Sequence, residues 1–384
     1  MNVKLLNEPA ARQFEFPITA RKVFLAHAAS SPLPRCVSAA MTQYLNRASI
    51  EGQWEYLYDK DEAETRRFAA RLLEAQEGEI AFITSTSMGL SIIASSLSWR
   101  KDDNVIVADG DFPSNIYPWL NLRSRGVTVN YIPKRYDGAV TLEDIINLVD
   151  SNTRLVSLSS VNYVTGYRID VSAIGRYLHE KGIFFCVDAI QSLGAIPIDT
   201  TFVDFLAAGA HKWLLGPLGI GILYVKKCNI EKMAPVLAGW KCVQSSKNYL
   251  NYDLHFLDSA KCLEPGAINV VGIIGLHAAL GMLLETGIDE IASRLAGFRG
   301  LIKAALLEKG YDLIGPVEDG LGSGIISFTS STHDITELRK KLDNGGFVVS
   351  LRDSLDGRKC IRVSPHFYNS VDEITLFLEE LPHC

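Results

Sequence analysis

Short β-rich runs alternate with helix-like stretches from about residue 79 onward, and this alternation limits the possible folds more than any other feature of the chain. Helix-like segments such as TLEDIINLV (141–149) and VSAIGRYLHEKG (171–182) separate the runs. Near-continuous apolar strands separated by helices indicate a mainly parallel sheet that is covered on both faces. The last two runs are close enough to form a hairpin, which allows one antiparallel strand. The β-rich runs are 79–84, 104–109, 128–133, 153–161, 183–189, 205–210 and 219–225.

The pattern changes beyond about residue 258. Two helical stretches (272–285 and 289–310) lead into short strands and helices, and the last helix opens with the capping-box pair Ser370 and Glu373. We therefore predict an α/β protein with a mainly parallel seven-stranded sheet in a large domain and a smaller α+β domain at the C-terminus. The predicted divisions are an N-terminal segment that packs with the small domain (1–20), the large domain (21–258), and linking helices with the small domain (259–384).

Composition excludes several classes of function. The 384 residues carry a net charge of −6 and no basic block interleaved with aromatics, which argues against a nucleic-acid partner. The seven cysteines are scattered and never form a CxxC pair, so reduced thiols are favoured over disulfides or a metal site. The chain begins without an apolar signal region, and no uncharged apolar run of about 18 residues is present further along. We therefore expect a cytoplasmic enzyme with no membrane segment and no metal.

Five of the predicted strands lead into polar or aromatic residues that are candidates for one site. In open α/β sheets, ligands bind beyond the carboxyl ends of the strands. The residues after these strands supply hydroxyls, an aromatic ring, amides, a carboxylate and a lysine, a set that is unusual for a plain core. They are Ser85, Thr86 and Ser87 after the first strand, Phe112 after the second, Asn162 and Tyr163 after the fourth, Asp188 and Gln191 at the end of the fifth, and His211 and Lys212 after the sixth.

Each of these residues also has a structural interpretation. The segment 84–87 is suited to capping a helix, although the free N–H groups of a helix start also hold phosphate. Asp188 could form a salt bridge, Phe112 could belong to the core, and His211 could be hydrogen-bonded within the fold. Lys212 lies among apolar residues in AHKWLLGP. Desolvation there lowers the pKa of an amine and makes it nucleophilic, unless the side chain extends to solvent.

Asp188 and Lys212 together suggest a pyridine cofactor. Pyridoxal phosphate (PLP) acts as an electron sink only while its ring nitrogen stays protonated, and a buried carboxylate beside that nitrogen keeps the proton in place. A nucleophilic lysine one strand further along would bind the aldehyde of the same cofactor. The sequence therefore predicts a PLP site at this edge of the sheet.

The VDAIQ and AHKW blocks within residues 183–225 resemble the class V aminotransferase family, which has fold type I of the PLP enzymes. The resemblance extends from FLAHAASSPLP (24–34) to IRVSPHFYNSVDEI (361–374). The family includes cysteine desulfurases, selenocysteine lyases, kynureninases and isopenicillin-N-epimerase-like proteins. It implies a PLP enzyme that acts at the α carbon of an amino acid, as a homodimer whose sites borrow residues from the neighbouring subunit.

The resemblance also implies a role for each matching residue. Lys212 would form the Schiff base with PLP and then act as the base at the α carbon, and Asp188 would pair with the pyridine nitrogen. Arg362 would bind the α-carboxylate of the substrate, because a planar guanidinium suits a carboxylate. The remaining contacts would be Thr86, Ser87 and His211 at the phosphate, Phe112 on the ring, Gln191 at the ring oxygen, Asn162 or Tyr163 toward the substrate, and Arg352 and His27 as further substrate-side candidates.

Two positions depart from the family pattern. Many relatives have a serine two positions before the histidine, and this chain has Gly209. Many also donate a threonine across the dimer interface from the EPGAINVVG segment (264–272), where this chain has Ala267. The phosphate would then depend more on backbone amides, on His211 and on the helix end. The same losses motivate an alternative, a non-catalytic binding protein with the PLP fold.

The resemblance does not decide which reaction the enzyme completes after the α proton is removed. The carbanion has three outcomes: transamination, epimerisation or expulsion of a β or γ substituent. The stretches 109–119 and 159–170 look most similar to the epimerase-like and kynureninase-like members of the family. We therefore expect an epimerase-like enzyme or an aminotransferase. C–S lyase, selenocysteine lyase and cysteine desulfurase are the alternatives.

Cysteine desulfurase chemistry requires a nucleophilic cysteine on a mobile loop ahead of the arginine strand. The only cysteine between Arg352 and Arg362 is Cys360, which lies in the strand-like run KCIRVS. A buried strand thiol is the favoured interpretation of this residue. A desulfurase that forms a persulfide is therefore disfavoured, whereas a lyase that needs no such thiol is not.

Overall fold

The computed structural model describes residues 8–53, 58–246, 248–250, 252–318 and 320–384. The strands in these ranges are β1 (Val23–Phe24), β2 (Ile80–Ile83), β3 (Asn104–Ala108), β4 (Thr128–Ile132), β5 (Thr153–Ser159), β6 (Phe184–Asp188), β7 (Phe205–Gly209), β8 (Gly221–Val225), β9 (Asp312–Ile314), β10 (Ile326–Thr329), β11 (Phe347–Val348), β12 (Ser350–Asp353) and β13 (Lys359–Val363). The helices are α1 (Pro9–Glu15), α2 (Arg35–Ala48), α3 (Tyr58–Leu72), α4 (Thr86–Ser96), α5 (Tyr117–Leu120), α6 (Leu142–Leu148), α7 (Val171–Glu180), α8 (Lys227–Ile230), α9 (Val270–Thr286), α10 (Ile288–Glu308), α11 (Ile335–Asn344) and α12 (Val371–Glu379).

A seven-stranded sheet lies at the centre of the fold, in the order β2-β8-β7-β6-β5-β3-β4. The neighbours from β7 to β4 pair in parallel, whereas β8 is antiparallel to both β7 and β2. All seven runs expected to be strands are strands, and the last two form the expected hairpin. The mainly parallel α/β fold is thus confirmed.

Helices cover both faces of this sheet, as the near-continuous apolar strands predict. In β6, Phe185 and Val187 join the core formed with α7, α9 and α10, while Phe184 and Cys186 join the core formed with α4. Strand side chains alternate between faces, so one apolar run supplies both cores. Gly89 lets α4 lie directly on the sheet, because a Cβ there would be 2.7 Å from Ile83 Cδ1.

A second sheet, in the order β12-β13-β10-β9, is antiparallel throughout and forms the C-terminal part of the chain. It packs with the helices α10 and α11, and α12 begins with the capping box that Ser370 and Glu373 predict. The N-terminal residues contact this part of the molecule: β1 pairs in parallel with β11, and the Phe16 ring stacks on Tyr368 at 3.9 Å. The division into 1–20, 21–258 and 259–384 stays a prediction.

No single helix in the described ranges has both the length and the apolar character to cross a membrane. The consecutive helices α9 and α10 meet that test only as a pair, and the pair is bent by 77°.

Candidate active site

Lys212 lies in the turn after β7 and is almost fully buried, with 8% of its surface exposed. Burial is the main reason that the pKa of its amine falls to about 8, and the charges of Arg362 and Arg352 lower it further, against the opposing effect of Asp188. The Nζ atom lies 5.6 Å from the centre of the Phe112 ring. A lysine with this environment has the neutral, nucleophilic form available near neutral pH.

The backbone around Lys212 is fixed at three successive carbonyl groups. Ser31 donates from its backbone nitrogen to the His211 carbonyl (2.8 Å) and from its hydroxyl to the Lys212 carbonyl (2.6 Å). His366 Nε2 donates to the Trp213 carbonyl at 3.0 Å, because its Nδ1 already accepts from the next backbone N–H. The same turn holds Leu215 at a φ of 55°, a conformation that only a well-fixed turn sustains.

Asp188 ends β6 and is also buried, with 1% exposed. Its Oδ1 accepts from the backbone nitrogen of Ile190 at 3.0 Å, whereas Oδ2 is buried with no hydrogen-bond partner. Burial, and then the charge of Asp111, hold the pKa of this carboxyl well above its usual range, and Lys212 only partly opposes them. An orphaned carboxylate oxygen in this position is suited to an external N–H donor.

Phe112 lies over Lys212 and contacts Tyr163 edge-on at 5.2 Å. Its own position is fixed by Asp111, which joins the turn after β3 to the end of β5. The Asp111 carboxylate accepts from the Phe112 backbone nitrogen (2.7 Å), the Ser159 hydroxyl (2.6 Å) and the Asn115 amide (2.9 Å). Burial raises the pKa of this carboxyl as well.

The residues expected at a phosphate lie at the start of α4. Thr86 accepts a hydrogen bond from the Gly209 backbone nitrogen at 2.9 Å, which leaves its hydroxyl proton available. Ser87 shares a 2.7 Å hydrogen bond with Ser114. Burial and the charge of Lys212 lower the pKa of His211, so its ring is neutral and has one N–H to donate. A Cβ on Gly209 would be 3.2 Å from the ring of His211.

Gln191 and Asn162 are further candidate residues, and each already makes hydrogen bonds within the fold. Gln191 donates from Nε2 to the Ala28 carbonyl (3.0 Å) and accepts from Trp213 Nε1 (2.8 Å), so one amide proton remains. Asn162 Oδ1 accepts from the backbone nitrogens of the two residues at positions 164 and 165, which leaves its NH₂ group available. Each side chain therefore keeps a donor but not a free carbonyl oxygen.

Arg362, on β13, is 1% exposed, although it carries a charge. It donates from Nη1 to the Tyr163 carbonyl (2.5 Å) and weakly from Nη2 to the Ser350 hydroxyl (3.5 Å), while Nε is buried without a partner. Burial and the charge of Arg352 lower the pKa of Arg362 to about 9. Among the described residues, no carboxylate is paired with Arg362, so the site lacks the anion that this side chain requires.

The structure differs from the sequence expectation at His27, which was a candidate for contact with substrate. The ring has no exposed surface, and its nitrogens bond the Ser364 carbonyl (2.9 Å) and the Tyr368 hydroxyl (2.7 Å). Neither nitrogen is left for a substrate. His27 instead joins the N-terminal segment to the C-terminal part of the chain.

Cys360 is confirmed as a buried strand residue. It lies on β13 with no exposed surface and packs with Val164 and Ile314. Burial raises the pKa of its thiol to about 11, so the thiolate is scarce at neutral pH. The loop between β12 and β13, at residues 354–358, contains no cysteine.

The donors and charges of this site fit PLP. The orphaned Asp188 Oδ2 suits a protonated ring nitrogen, and Phe112 offers an aromatic surface over Lys212. The start of α4, with Thr86 and the neutral His211 beside it, suits a phosphate. The unpartnered Arg362 suits the carboxylate of an amino acid.

Three supporting residues were not predicted from the sequence. Asp111 fixes Phe112 and adds a second negative charge near Asp188, while Ser31 and His366 fix the turn that carries Lys212. The one local signal for the role of Asp111 is its position, directly before Phe112 in the segment that follows β3. Ser31 and His366 lie far from Lys212 in sequence, and nothing local to them shows which carbonyl they contact.

Comparison with known proteins identifies the family and agrees with the fold. Residues 23–377 match the class-V aminotransferase family. A probable cysteine desulfurase of Methanothermobacter thermautotrophicus is 31% identical, with 96% of each chain covered, and an uncharacterized aminotransferase of Bacillus subtilis is 29% identical, with 95% of each covered. The apo structure of a cysteine desulfurase from Thermococcus onnurineus has the same fold, with a TM-score of 0.87, 24% identity, and 97% of this chain and 96% of that one covered. The chain therefore belongs to the class-V aminotransferase family of PLP-dependent enzymes.

Proposed function

We propose that this enzyme removes the proton from the α carbon of a small amino acid, with Lys212 as the base and Arg362 as the binding group for the α-carboxylate. The observation that carries the proposal is a pair of buried ionic atoms with no partner, Asp188 Oδ2 and Arg362 Nε. Uncompensated buried charge is costly in a folded protein. Two such atoms beside a buried lysine indicate that the cofactor and the substrate complete the site.

The cofactor would be held at its two ends by different elements. The start of α4, with Thr86 and Ser87, and the His211 ring would bind the phosphate, while Asp188 would bind the ring nitrogen and Lys212 the aldehyde carbon. Phe112 would cover the ring, with Gln191 and Asn162 as donors at its edge. When bound, PLP supplies an electron sink that stabilises negative charge at the α carbon of the amino acid.

Proton movement in this site would depend on Lys212. Its lowered pKa makes the neutral amine available, and the fixed backbone around it limits where Nζ reaches. Phe112, the side chain that would cover the cofactor ring, has no exchangeable proton. Epimerisation needs a second acid–base group on the other face of the substrate. We therefore place transamination before epimerisation.

A second candidate is cleavage of a C–S bond without a protein persulfide. Several relatives bear the name cysteine desulfurase, which points to sulfur-containing amino acids. The loop at 354–358 contains no cysteine and Cys360 is buried, which disfavours transfer of sulfur to a protein thiol. This candidate predicts that the released sulfur appears as sulfide in solution.

The deciding experiment is a panel of amino acids incubated with the PLP-loaded enzyme in D₂O. Exchange of the α proton, measured by NMR, reports the first step, and keto acid, sulfide and inverted stereochemistry separate the outcomes. Purified protein that stays colourless with added PLP, or that exchanges no α proton, would contradict the proposal and favour a binding protein.

We also propose a cytoplasmic homodimer. All seven cysteines are free, which supports a reducing compartment. The segment ahead of α9, which includes the exposed Ala267, is where the sequence resemblance implies contact with a second subunit. Light scattering of the purified protein tests the dimer.

A further inference from the structure

Two arginines lie on the same face of the small sheet. Arg362 on β13 is directly opposite Ser350 on β12, and Arg352 is directly opposite Cys360. Residues opposite each other in an antiparallel pair share a face, as do residues two apart on one strand. Arg352 and Arg362 are therefore diagonal neighbours, and both project from the face that carries the candidate active site.

Neither arginine is paired with a carboxylate among the described residues. Arg362 bonds only the Tyr163 carbonyl and the Ser350 hydroxyl, and Arg352 donates only to the carbonyl of Leu351 at 2.8 Å. The acidic residues of the same hairpin are engaged elsewhere. These pairs are Asp353 with Lys359 (2.5 Å) and Asp356 with Arg358 (2.8 Å).

Three cationic side chains lie near the position proposed for the α-carboxylate. The charge of Arg352 lowers the pKa of both Arg362 and Lys212, so the three cations lie close enough to repel one another. Asp188, with Asp111 near it, offsets the charge of Lys212, and the α-carboxylate would pair with Arg362. Arg352 would then keep a half-buried charge with no counterion, which a polar anion on the substrate would remove.

We propose that the substrate is a small amino acid whose side chain carries a second anionic group, such as a carboxylate or sulfinate, and that Arg352 binds this group. The inference rests on the proposed function, in which Arg362 binds the α-carboxylate. A guanidinium recognises both kinds of oxyanion through the same pair of hydrogen bonds. Arg352 is thus the residue that selects among amino acids, whereas Lys212 and Asp188 act on any of them.

The first test compares matched amino acids that differ only in side-chain charge. Exchange of the α proton in D₂O is measured by NMR with aspartate against asparagine and glutamate against glutamine, on the PLP-loaded enzyme. The wild type should prefer the anionic member of at least one pair by about tenfold or more. Equal rates for the members of both pairs would overturn the inference while leaving the proposed function intact.

Variants of Arg352 identify the cause of that preference. Arg352→Gln should lower the anionic-to-neutral rate ratio by about tenfold, and Arg352→Lys should restore part of it because the charge returns. Arg358→Gln is the matched control, since Arg358 lies in the same hairpin but is paired with Asp356. A fall of both rates in the same proportion in Arg352→Gln would overturn the inference.

The second test measures binding without turnover. Succinate and its monoamide, succinamate, are titrated calorimetrically into the apoenzyme. Succinate should bind about tenfold more tightly, and Arg352→Gln should abolish that difference. If no amino acid exchanges its α proton but succinate still binds more tightly than succinamate, the proposed function fails, whereas the binding of a second anion by Arg352 stands. If succinate and succinamate bind equally, the anion site fails.

Discussion

The guanidinium of Arg362 donates a 2.5 Å hydrogen bond to the backbone carbonyl of Tyr163, and so ties the small sheet to the loop after β5. That loop is fixed by Asn162, whose side chain accepts from two backbone nitrogens. The group proposed to bind the substrate carboxylate is therefore positioned from the large sheet as well as from its own strand.

Replacing Lys212 with alanine should abolish covalent attachment of PLP. Without the amine, borohydride should fix no cofactor to the protein, and exchange of the α proton should fall by about 10²- to 10⁴-fold through loss of the general base. Mass spectrometry after reduction measures attachment. Lys340→Ala is the control, because Lys340 is an exposed lysine paired with Glu337. Attachment that persists in Lys212→Ala would rule out the assigned residue.

The rate of cofactor capture by the apoenzyme should depend on pH through the amine of Lys212. Only the neutral amine attacks an aldehyde, and the pKa of this amine is about 8, below the 10.5 of an ordinary lysine. The neutral fraction therefore rises with pH up to about 8 and changes little above 9. Stopped-flow absorbance between pH 6.5 and 10 monitors the reaction. A rate that still rises tenfold per pH unit at pH 9 would show an unperturbed lysine.

Replacing Asp188 with asparagine keeps the size of the side chain but removes the charge proposed to keep the ring nitrogen protonated. Exchange of the α proton should fall by about 10²-fold or more, while bound PLP remains. The melting temperature of the apoenzyme should not fall, because Oδ2 has no partner to lose.

Asp204→Asn provides the contrast to this variant. Asp204 bonds the Phe185 backbone nitrogen at 2.8 Å and the Asn229 amide at 2.6 Å. This variant should melt at a lower temperature and exchange α protons at the wild-type rate. The same pattern in both variants would contradict a role for Asp188 at the cofactor.

Replacing Cys360 with alanine should change stability rather than catalysis. The thiol is buried, so its loss should lower the free energy of unfolding by about 1 to 2 kcal/mol and leave the exchange rate within about twofold. Iodoacetamide should label the exposed Cys228 and Cys384 in the native protein and leave Cys360 unmodified. A persulfide found on Cys360 after reaction with cysteine would establish desulfurase chemistry.

The central sheet was predictable from the sequence because each of its strands has a clear local pattern. The run that became β7 is apolar throughout and that of β6 is apolar up to Asp188, and the residues directly after a strand must lie at its carboxyl end. Asp188 and Lys212 were therefore identifiable without any knowledge of the packing. The antiparallel β8 was also predictable from the short connection that precedes it.

Contacts between distant segments were not predictable in this way. His27 stands in a motif that suggests function, but its partners Ser364 and Tyr368 come from the other end of the chain. Asp111 likewise bonds Ser159 across two strands that are adjacent only in the folded sheet. Such roles depend on register and burial, which no local pattern of residues encodes.

The parallel pairing of β1 with β11 has a consequence for synthesis on the ribosome. The partners of Val23 and Phe24 are Phe347 and Val348, 324 positions further along the chain, so β1 leaves the ribosome long before β11 does. The strands from β2 to β8 are complete long before that, so the large sheet is free to form while the nascent chain is still attached. β1 cannot pair with β11 until Phe347 and Val348 have been made, and a product that stalls before them would expose Leu25 and Phe16, which are buried in the finished enzyme.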